Sequence, residues 1–192
     1  MVNFKLKAGD FLVNVNRGKD PWAVLRRWAS GPYSHVFMYL GELSLKNKWS
    51  RYSLRPLAML FESNGRGAVL QSLANRYGQE VVVMRPRAED TQLRRILYQA
   101  IKLASEQKAY YDYLCIIRHV LPRLLLEILG LPIPLSWQRD SRQICSEACL
   151  EVCLRAGFPL LPADTVPLPG DFVTDSSLLR RVHSGVLCQE WL

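Results

Sequence analysis

Three residues of the chain carry side chains that together could activate a thiol for attack on a carbonyl group: Cys145, His35 and Glu62. A cysteine hydrolase needs a thiolate, an imidazole that takes the thiol proton, and a polar group that orients the imidazole. A helix N-terminus helps further, because its partial positive charge lowers the pKa of a nearby thiol. These residue types are therefore the ones that nucleophilic catalysis by cysteine requires.

Cys145 lies in the first turn of a helix predicted over residues 141–156, with Gly157 as the left-handed residue that ends it. Cys149 and Cys153 follow at helical spacing on the same face, further from the N-terminus, and are predicted to be core residues. Core packing is the competing interpretation of Cys145 itself. A zinc site built from the three thiols is disfavoured, because together they span about 12 Å along the helix.

His35 and Glu62 are predicted to lie near the ends of neighbouring strands. His35 opens a strand directly after a Gly-Pro turn, and a strand end is a rigid place from which to present a base. Glu62 ends another apolar run, so its carboxylate could accept the other ring proton of His35 and fix the tautomer. Taken alone, Glu62 would be interpreted as a solvated acid, and His119 and His183 are both interpreted as surface histidines.

The elements that must position these residues are predicted to be strands in the first half of the chain and helices in the second. An Asn-Gly pair at 64–65 predicts a hairpin. Because the strands come first and the helices follow, we expect an α+β fold with an antiparallel β-sheet packed against helices. The runs that predict strands are 11–15, 36–40, 58–61, 68–71 and 81–84; helices are predicted from Pro21 with Asp20 as cap, over 91–107 with Asp90 as cap, and over 113–129.

The composition indicates one globular domain covering residues 1–192. Hydrophobic residues make up 49% of the chain, enough for a core without metal or disulfide support. The net charge of +8 would attract polyanions, but the basic residues are scattered and form no run typical of a nucleic-acid tail. A solvated basic surface is the simplest interpretation, and we expect no nucleic-acid partner. A non-catalytic basic binding module stays open as an alternative function.

The cysteines and the apolar segments predict where the protein resides. Three of the five cysteines share one helix and are badly placed to bridge one another, which indicates a reducing compartment. No signal peptide is recognised at the N-terminus, so a cytoplasmic location is expected, with peripheral membrane association left open. The apolar stretch 120–135 is interrupted by charges and prolines and is too short to span a bilayer. We interpret 113–137 as an apolar helical insertion or lid, with a buried core helix as the alternative.

The order of the short motifs resembles that of circularly permuted NlpC-type, papain-like amidases, in particular the YiiX/YebB-like branch, with lecithin–retinol acyltransferase-like proteins as more distant relatives. In the permuted branch the sheet comes first and the cysteine helix last, as in this chain. The resemblance extends from Gly9-Asp10 to Pro169-Gly170-Asp171. The motifs are Gly9-Asp10, Ser34-His35-Val36 with Tyr39-Leu40-Gly41, the apolar run ending in Glu62, Tyr111-Asp112, and Cys145-Ser146-Glu147.

The resemblance implies a cysteine amidase or peptidase that works through an acyl-enzyme, with Cys145 as nucleophile, His35 as base and Glu62 as orienting residue. It further implies substrate-binding or oxyanion roles for Tyr111, Tyr110 and Ser34, and a structural role for Asp10. The substrate would be a peptide or isopeptide amide, such as a cell-wall fragment. A lipid acyl hydrolase or acyltransferase at an anionic membrane surface is the alternative. No metal and no cofactor are expected. The chain departs from the family by carrying Phe37 where glycine is common.

Overall fold

The computed structural model describes residues 4–18, 31–43, 56–64, 67–106, 145–162 and 167–192. These stretches form an α+β fold in which a six-stranded antiparallel sheet packs against three helices. In chain order the elements are β1 (Phe11–Val15), β2 (Tyr33–Leu43), β3 (Leu57–Asn64), β4 (Gly67–Ser72), a 3₁₀ helix (Leu73–Arg76), β5 (Glu80–Pro86), α1 (Asp90–Ser105), α2 (Cys145–Arg155), α3 (Asp171–Thr174), β6 (Leu179–Val186) and a second 3₁₀ helix (Gln189–Trp191).

The strands lie in the order β4-β3-β2-β1-β5-β6, and each strand is antiparallel to its neighbours. All five predicted strands are present, four of them longer than predicted. The predicted hairpin is confirmed, because Asn64 at the end of β3 pairs with Gly67 at the start of β4. β6 is missing from the predicted strands, since this edge strand exposes Arg180 and Arg181 and therefore lacks a continuous apolar run.

Both faces of the sheet are covered, as the alternation of side chains along β2 makes clear. Val36 and Met38 belong to the larger core, on the face against which α1 and α2 pack. Phe37 and Tyr39 point to the other face and belong to a second, smaller core. That second core is closed by residues from outside the central strands: Leu6, Leu73, Leu187 and Trp191.

The helix predicted over 91–107 is α1, which begins and ends slightly earlier. The prediction that Asp90 is the cap of this helix is wrong, because Asp90 is its first residue. The N-cap is Glu89, whose side chain makes no capping hydrogen bond. Asp90 nevertheless lies in the first turn, where a negative charge complements the helix dipole. The prediction failed because two neighbouring acids compete for the same end of one helix.

Gly157 ends α2 as predicted. Its φ of 72° is in the left-handed region, which a residue without a Cβ adopts without strain. The backbone N–H groups of Gly157 and Phe158 donate to the carbonyls of Leu154 and Cys153, at 2.9 and 2.8 Å. This pair of bonds is the Schellman arrangement, and it satisfies carbonyl groups that the end of a helix would otherwise leave unpaired.

Several predicted features lie outside the described residues: the short helix at Pro21, the helical stretch 113–129, and the insertion or lid at 113–137. In the stretches that the structure describes, no helix combines the length and the hydropathy that crossing a membrane would require.

Candidate active site

β2 carries His35 to the end of the sheet where β1 finishes. Asn14 of β1 lies opposite His35 in the antiparallel register, and the register shifts directly after it. The backbone N–H of Asn16 then donates to the carbonyl of Pro32 at 2.7 Å, which ties the end of β1 to the entry of β2. The imidazole is consequently anchored by central strands, and its side chain is 17% exposed.

Glu62 reaches the same point from β3, the next strand of the sheet. His35 Nε2 lies 3.0 Å from Glu62 Oε2, and the carboxylate is fully buried. An ionised carboxylate can only accept hydrogen bonds, so the ring proton is on Nε2. Nδ1 is therefore the nitrogen that is free to take a proton from another group.

Cys145 is the first residue of α2 and interacts with His35. Its thiol is buried and hydrogen-bonds to the His35 imidazole. Because Nε2 faces Glu62, the nitrogen that meets the thiol is Nδ1. The sulfur also accepts hydrogen bonds from the backbone N–H groups of Val36 and Ser146. Three separate elements thus bring Cys145, His35 and Glu62 into one hydrogen-bonded chain.

The electrostatics of this chain favour a thiolate next to an imidazolium. Burial raises the pKa of the Cys145 thiol, but His35 and the two backbone N–H groups stabilise the thiolate more, so the pKa is lowered overall. Burial alone would lower the pKa of His35, but the Cys145 thiolate and Glu62 raise it by more than burial lowers it, to about 9. Each group therefore favours the charged form of the other.

The other two thiols of α2 are in the opposite situation. Cys149 and Cys153 are fully buried, and burial raises the pKa of both. For Cys149 the neighbouring thiols and Glu62 raise the pKa further. The three cysteines share one helix and one face, yet only Cys145 among them has partners that stabilise its ionised form.

Glu62 is held by several donors besides His35. Its Oε1 accepts from the amides of Asn64 at 3.1 Å and Gln71 at 2.5 Å. Arg76 Nη2 donates to Oε1 at 2.6 Å and to Oε2 at 2.5 Å. Burial raises the pKa of Glu62, but His35 and Arg76 lower it more, so the buried carboxylate is ionised.

The sequence patterns did not indicate these supporting residues. A signal for Gln71 was present: in an antiparallel hairpin that pairs Asn64 with Gly67, Gln71 falls on the same face of the sheet as Glu62. Arg76 follows β4 in a 3₁₀ helix, and its direction could not be read from strand periodicity. Asn64 was noted only as a turn residue.

The remaining predicted residues have different outcomes. Ser34 is half-buried next to His35 on β2. Tyr110, Tyr111 and His119 lie outside the described residues. His183 does not fit its interpretation as a plain surface histidine. It is half-buried on β6, with its ring stacked on Phe4 at 4.2 Å between centroids.

Asp10, for which a structural role was implied, is fully buried at the start of β1. Its carboxylate accepts from the backbone N–H of Lys7 at 2.8 Å and from two nitrogens of Arg85, each at 2.7 Å. These bonds connect the turn before β1 to β5, and thus hold the central part of the sheet together.

Comparison with solved structures shows a likeness in fold. No protein-family model matches the chain, and no curated protein sequence does. A solved structure, that of the metalloprotein YiiX from Escherichia coli O157:H7, matches with a TM-score of 0.56 at 16% sequence identity. The match covers 96% of this chain and 100% of that one. The likeness is one of fold. It fits the YiiX-like branch that the motifs indicated.

Proposed function

We propose that this protein is a cysteine hydrolase of the permuted papain-like, NlpC-type kind, acting on a peptide or isopeptide amide. The observation that supports the proposal best is the hydrogen-bonded chain from buried Glu62 through His35 to Cys145. A lowered thiol pKa, an imidazole with one free nitrogen and a fixed carboxylate are the components that thiol catalysis needs. The order of the chain, with five of the six strands before the cysteine helix, agrees with the permuted arrangement.

In the proposed reaction the Cys145 thiolate attacks the amide carbonyl carbon, and the carbonyl π electrons move to the oxygen. The N-terminal end of α2, with its partial positive charge, favours the negative oxygen that forms next to Cys145. When the tetrahedral intermediate collapses, the His35 imidazolium gives its Nδ1 proton to the leaving amine. An acyl-enzyme on Cys145 and a neutral imidazole remain.

Deacylation uses the same groups in reverse. Neutral His35 takes a proton from water at Nδ1, and the resulting hydroxide attacks the thioester carbonyl. Collapse expels the Cys145 thiolate and releases the carboxylic acid. Throughout, the ionised Glu62 carboxylate accepts a hydrogen bond from Nε2–H, so that the ring keeps its orientation and the developing imidazolium is stabilised. A different nucleophile in place of water would give acyl transfer from the same intermediate.

The name of the YiiX structure raises the question of a metal ion, which the donor set of this chain can address. Among the described residues no three His, Cys, Asp or Glu side chains are arranged to hold one. Both Glu62 oxygens already accept from protein donors, and His35 Nε2 donates to Glu62. The described residues therefore do not fit a metal site, and no step of the proposed reaction involves one.

The proposed partners outside the active site depend on other parts of the chain. The described stretches hold 12 Lys and Arg and 12 Asp and Glu, whereas the whole chain holds 25 and 17. The positive surplus thus belongs to segments such as 44–55, which has four basic residues and no acid. An anionic membrane or cell-wall polymer would be attracted by those segments. The lipid acyl alternative likewise rests on 120–135, outside the described residues.

An activated ester tests the proposed function without knowledge of the natural substrate. The protein is mixed with p-nitrophenyl acetate, quenched in acid, digested, and analysed by mass spectrometry for acetylated peptides. We expect an acetyl thioester on Cys145 that accumulates and then decays, and its absence from a Cys145→Ala variant. A Cys149→Ala variant is the matched control and should acetylate normally. Equal acetylation of Cys149, Cys153 and Cys145, or none at Cys145, would contradict the proposal.

A further inference from the structure

Arg76 binds the same Glu62 carboxylate that His35 contacts. Its Nη2 donates to both oxygens of the carboxylate, at 2.6 and 2.5 Å, and its side chain is 23% exposed. Arg76 is in the 3₁₀ helix that follows β4, and β4 pairs with β3 along its whole length. The β3–β4 hairpin that carries Glu62 therefore also fixes where the 3₁₀ helix with Arg76 begins. The contact between Arg76 and Glu62 thus depends on the local fold.

Phe37 connects Arg76 to His35 on the same face of the sheet. The Arg76 guanidinium carbon is 5.7 Å from the centroid of the Phe37 ring, within cation–π range. The His35 ring is 6.0 Å from the same Phe37 ring, which is fully buried. Phe37, which stands where the resembled family commonly has glycine, therefore packs against both His35 and Arg76.

We propose that Arg76 is a positioning residue that acts on His35 through Glu62. It fixes the carboxylate and partly neutralises it, so that the His35 imidazolium releases its proton more readily than it would beside an unpaired carboxylate. This inference rests on the proposed function, in which His35 must give a proton to the leaving amine and later take one from water. A carboxylate without a counter-charge would orient the ring equally well but would hold its proton more tightly.

The charged and titratable groups that face His35 among the described residues belong to three elements of the fold. α2 presents the Cys145 thiol, β3 presents Glu62, and the 3₁₀ helix presents Arg76 through Glu62. Cys149, one turn further along α2, is close enough to Glu62 to respond to its charge, but its raised pKa keeps it protonated. Among these described residues, Arg76 is accordingly the positive charge that a substitution can remove while Cys145, His35 and Glu62 all stay in place.

NMR titration of the His35 ring in the full chain tests the inference. Carbon-bound ring protons of the three histidines are followed against pH, and a His35→Ala variant assigns the His35 signal. We expect Arg76→Gln and Arg76→Met, two neutral variants, to raise the midpoint of His35 by about half a pH unit or more, as removal of one nearby screened charge should. Arg76→Lys keeps the charge and should stay near the wild-type midpoint.

Arg85 provides the matched control. It pairs through two nitrogens with a buried carboxylate, Asp10, and is 17% exposed. Arg85→Gln therefore removes an equivalent charge from an equivalent pair, and we expect no change in the His35 midpoint. If both neutral Arg76 variants leave the midpoint unchanged or lower it, the inference is wrong. A shift of the same size in Arg85→Gln would also overturn it.

A Glu62→Gln variant separates this inference from the proposed function. Loss of the carboxylate should lower the His35 midpoint, because the imidazolium loses the group that stabilises it at 3.0 Å. If Glu62→Gln leaves the His35 midpoint unchanged, Glu62 does not act on His35, and the proposed function itself is contradicted. A lowered midpoint in Glu62→Gln together with an unchanged midpoint in both neutral Arg76 variants would overturn only the role of Arg76.

Discussion

Replacement of His35 by alanine should change how the reactivity of Cys145 depends on pH. In the wild-type protein the imidazole and two backbone N–H groups lower the pKa of the Cys145 thiol below its ordinary value. The variant keeps the burial of Cys145, which disfavours the thiolate, and loses the largest contribution that opposes burial. The thiol pKa of His35→Ala should therefore return to about 8.5 or above.

The magnitude follows from the fraction of thiolate. In wild type the lowered pKa of the thiol keeps more of Cys145 as thiolate, so the rate of alkylation should fall less steeply from pH 8 to pH 6 than in the variant. In His35→Ala the thiolate fraction falls tenfold for each pH unit below the pKa, so the rate should drop about a hundredfold from pH 8 to pH 6. Differences in intrinsic nucleophilicity move the whole curve and leave its slope unchanged.

The assay is alkylation by iodoacetamide, with the Cys145 peptide quantified by mass spectrometry at several pH values. His183→Ala is the matched control, because His183 packs against Phe4 and Trp191 on β6 and should leave the slope as in wild type. A wild-type rate that already falls tenfold per pH unit would refute the reasoning. Equal slopes in wild type and His35→Ala would refute it too.

Two further predictions concern stability. The pKa of His35 is raised to about 9, so its contribution to the free energy of unfolding is fully present below the unfolded value near 6.5 and is lost as pH rises through 9. The pKa of Cys145 is lowered, so its contribution is fully present above about 8.5 and is lost as pH falls through the folded value. Between these limits the two slopes oppose each other, so the free energy of unfolding in urea should change less with pH there than outside them. His35→Ala should remove the contribution of this pair. Separately, Gly157→Ala should lower the free energy of unfolding by about 1 kcal/mol, because φ is 72° and no atom within 4 Å would meet the added Cβ. Gly157→Asn, measured in the same way, should cost less, since asparagine tolerates the left-handed region.

The sequence predicted the parts of the fold that depend on local patterns. Short, nearly continuous apolar runs located five strands, because their side chains pack on both faces of the sheet. β6 escaped prediction since an edge strand with exposed Arg180 and Arg181 shows no such pattern. The cap of α1 was misplaced by one residue because Glu89 and Asp90 are chemically alike.

For the candidate site, the sequence indicated the residues but not their surroundings. The chemistry that cysteine needs, together with strand and helix ends, was sufficient to select Cys145, His35 and Glu62. It was not sufficient to find Arg76, whose contact with Glu62 depends on the path of a short 3₁₀ helix after β4. Nor could it predict the stacking of His183 on Phe4, a contact between residues near opposite ends of the chain.

The order of the site along the chain has a consequence for folding. His35 and Glu62 are 27 positions apart on paired strands, whereas Cys145 comes after all of β1 to β5. During synthesis, which proceeds from the N-terminus, the base and its carboxylate partner leave the ribosome before the thiol does. Until α2 docks, Cys145 has the ordinary pKa of an unfolded chain, near 8.5, and is mostly protonated at neutral pH. We therefore expect the thiol to gain its lowered pKa only when α2 docks, so that the nascent chain carries little thiolate that oxidants could attack before that step.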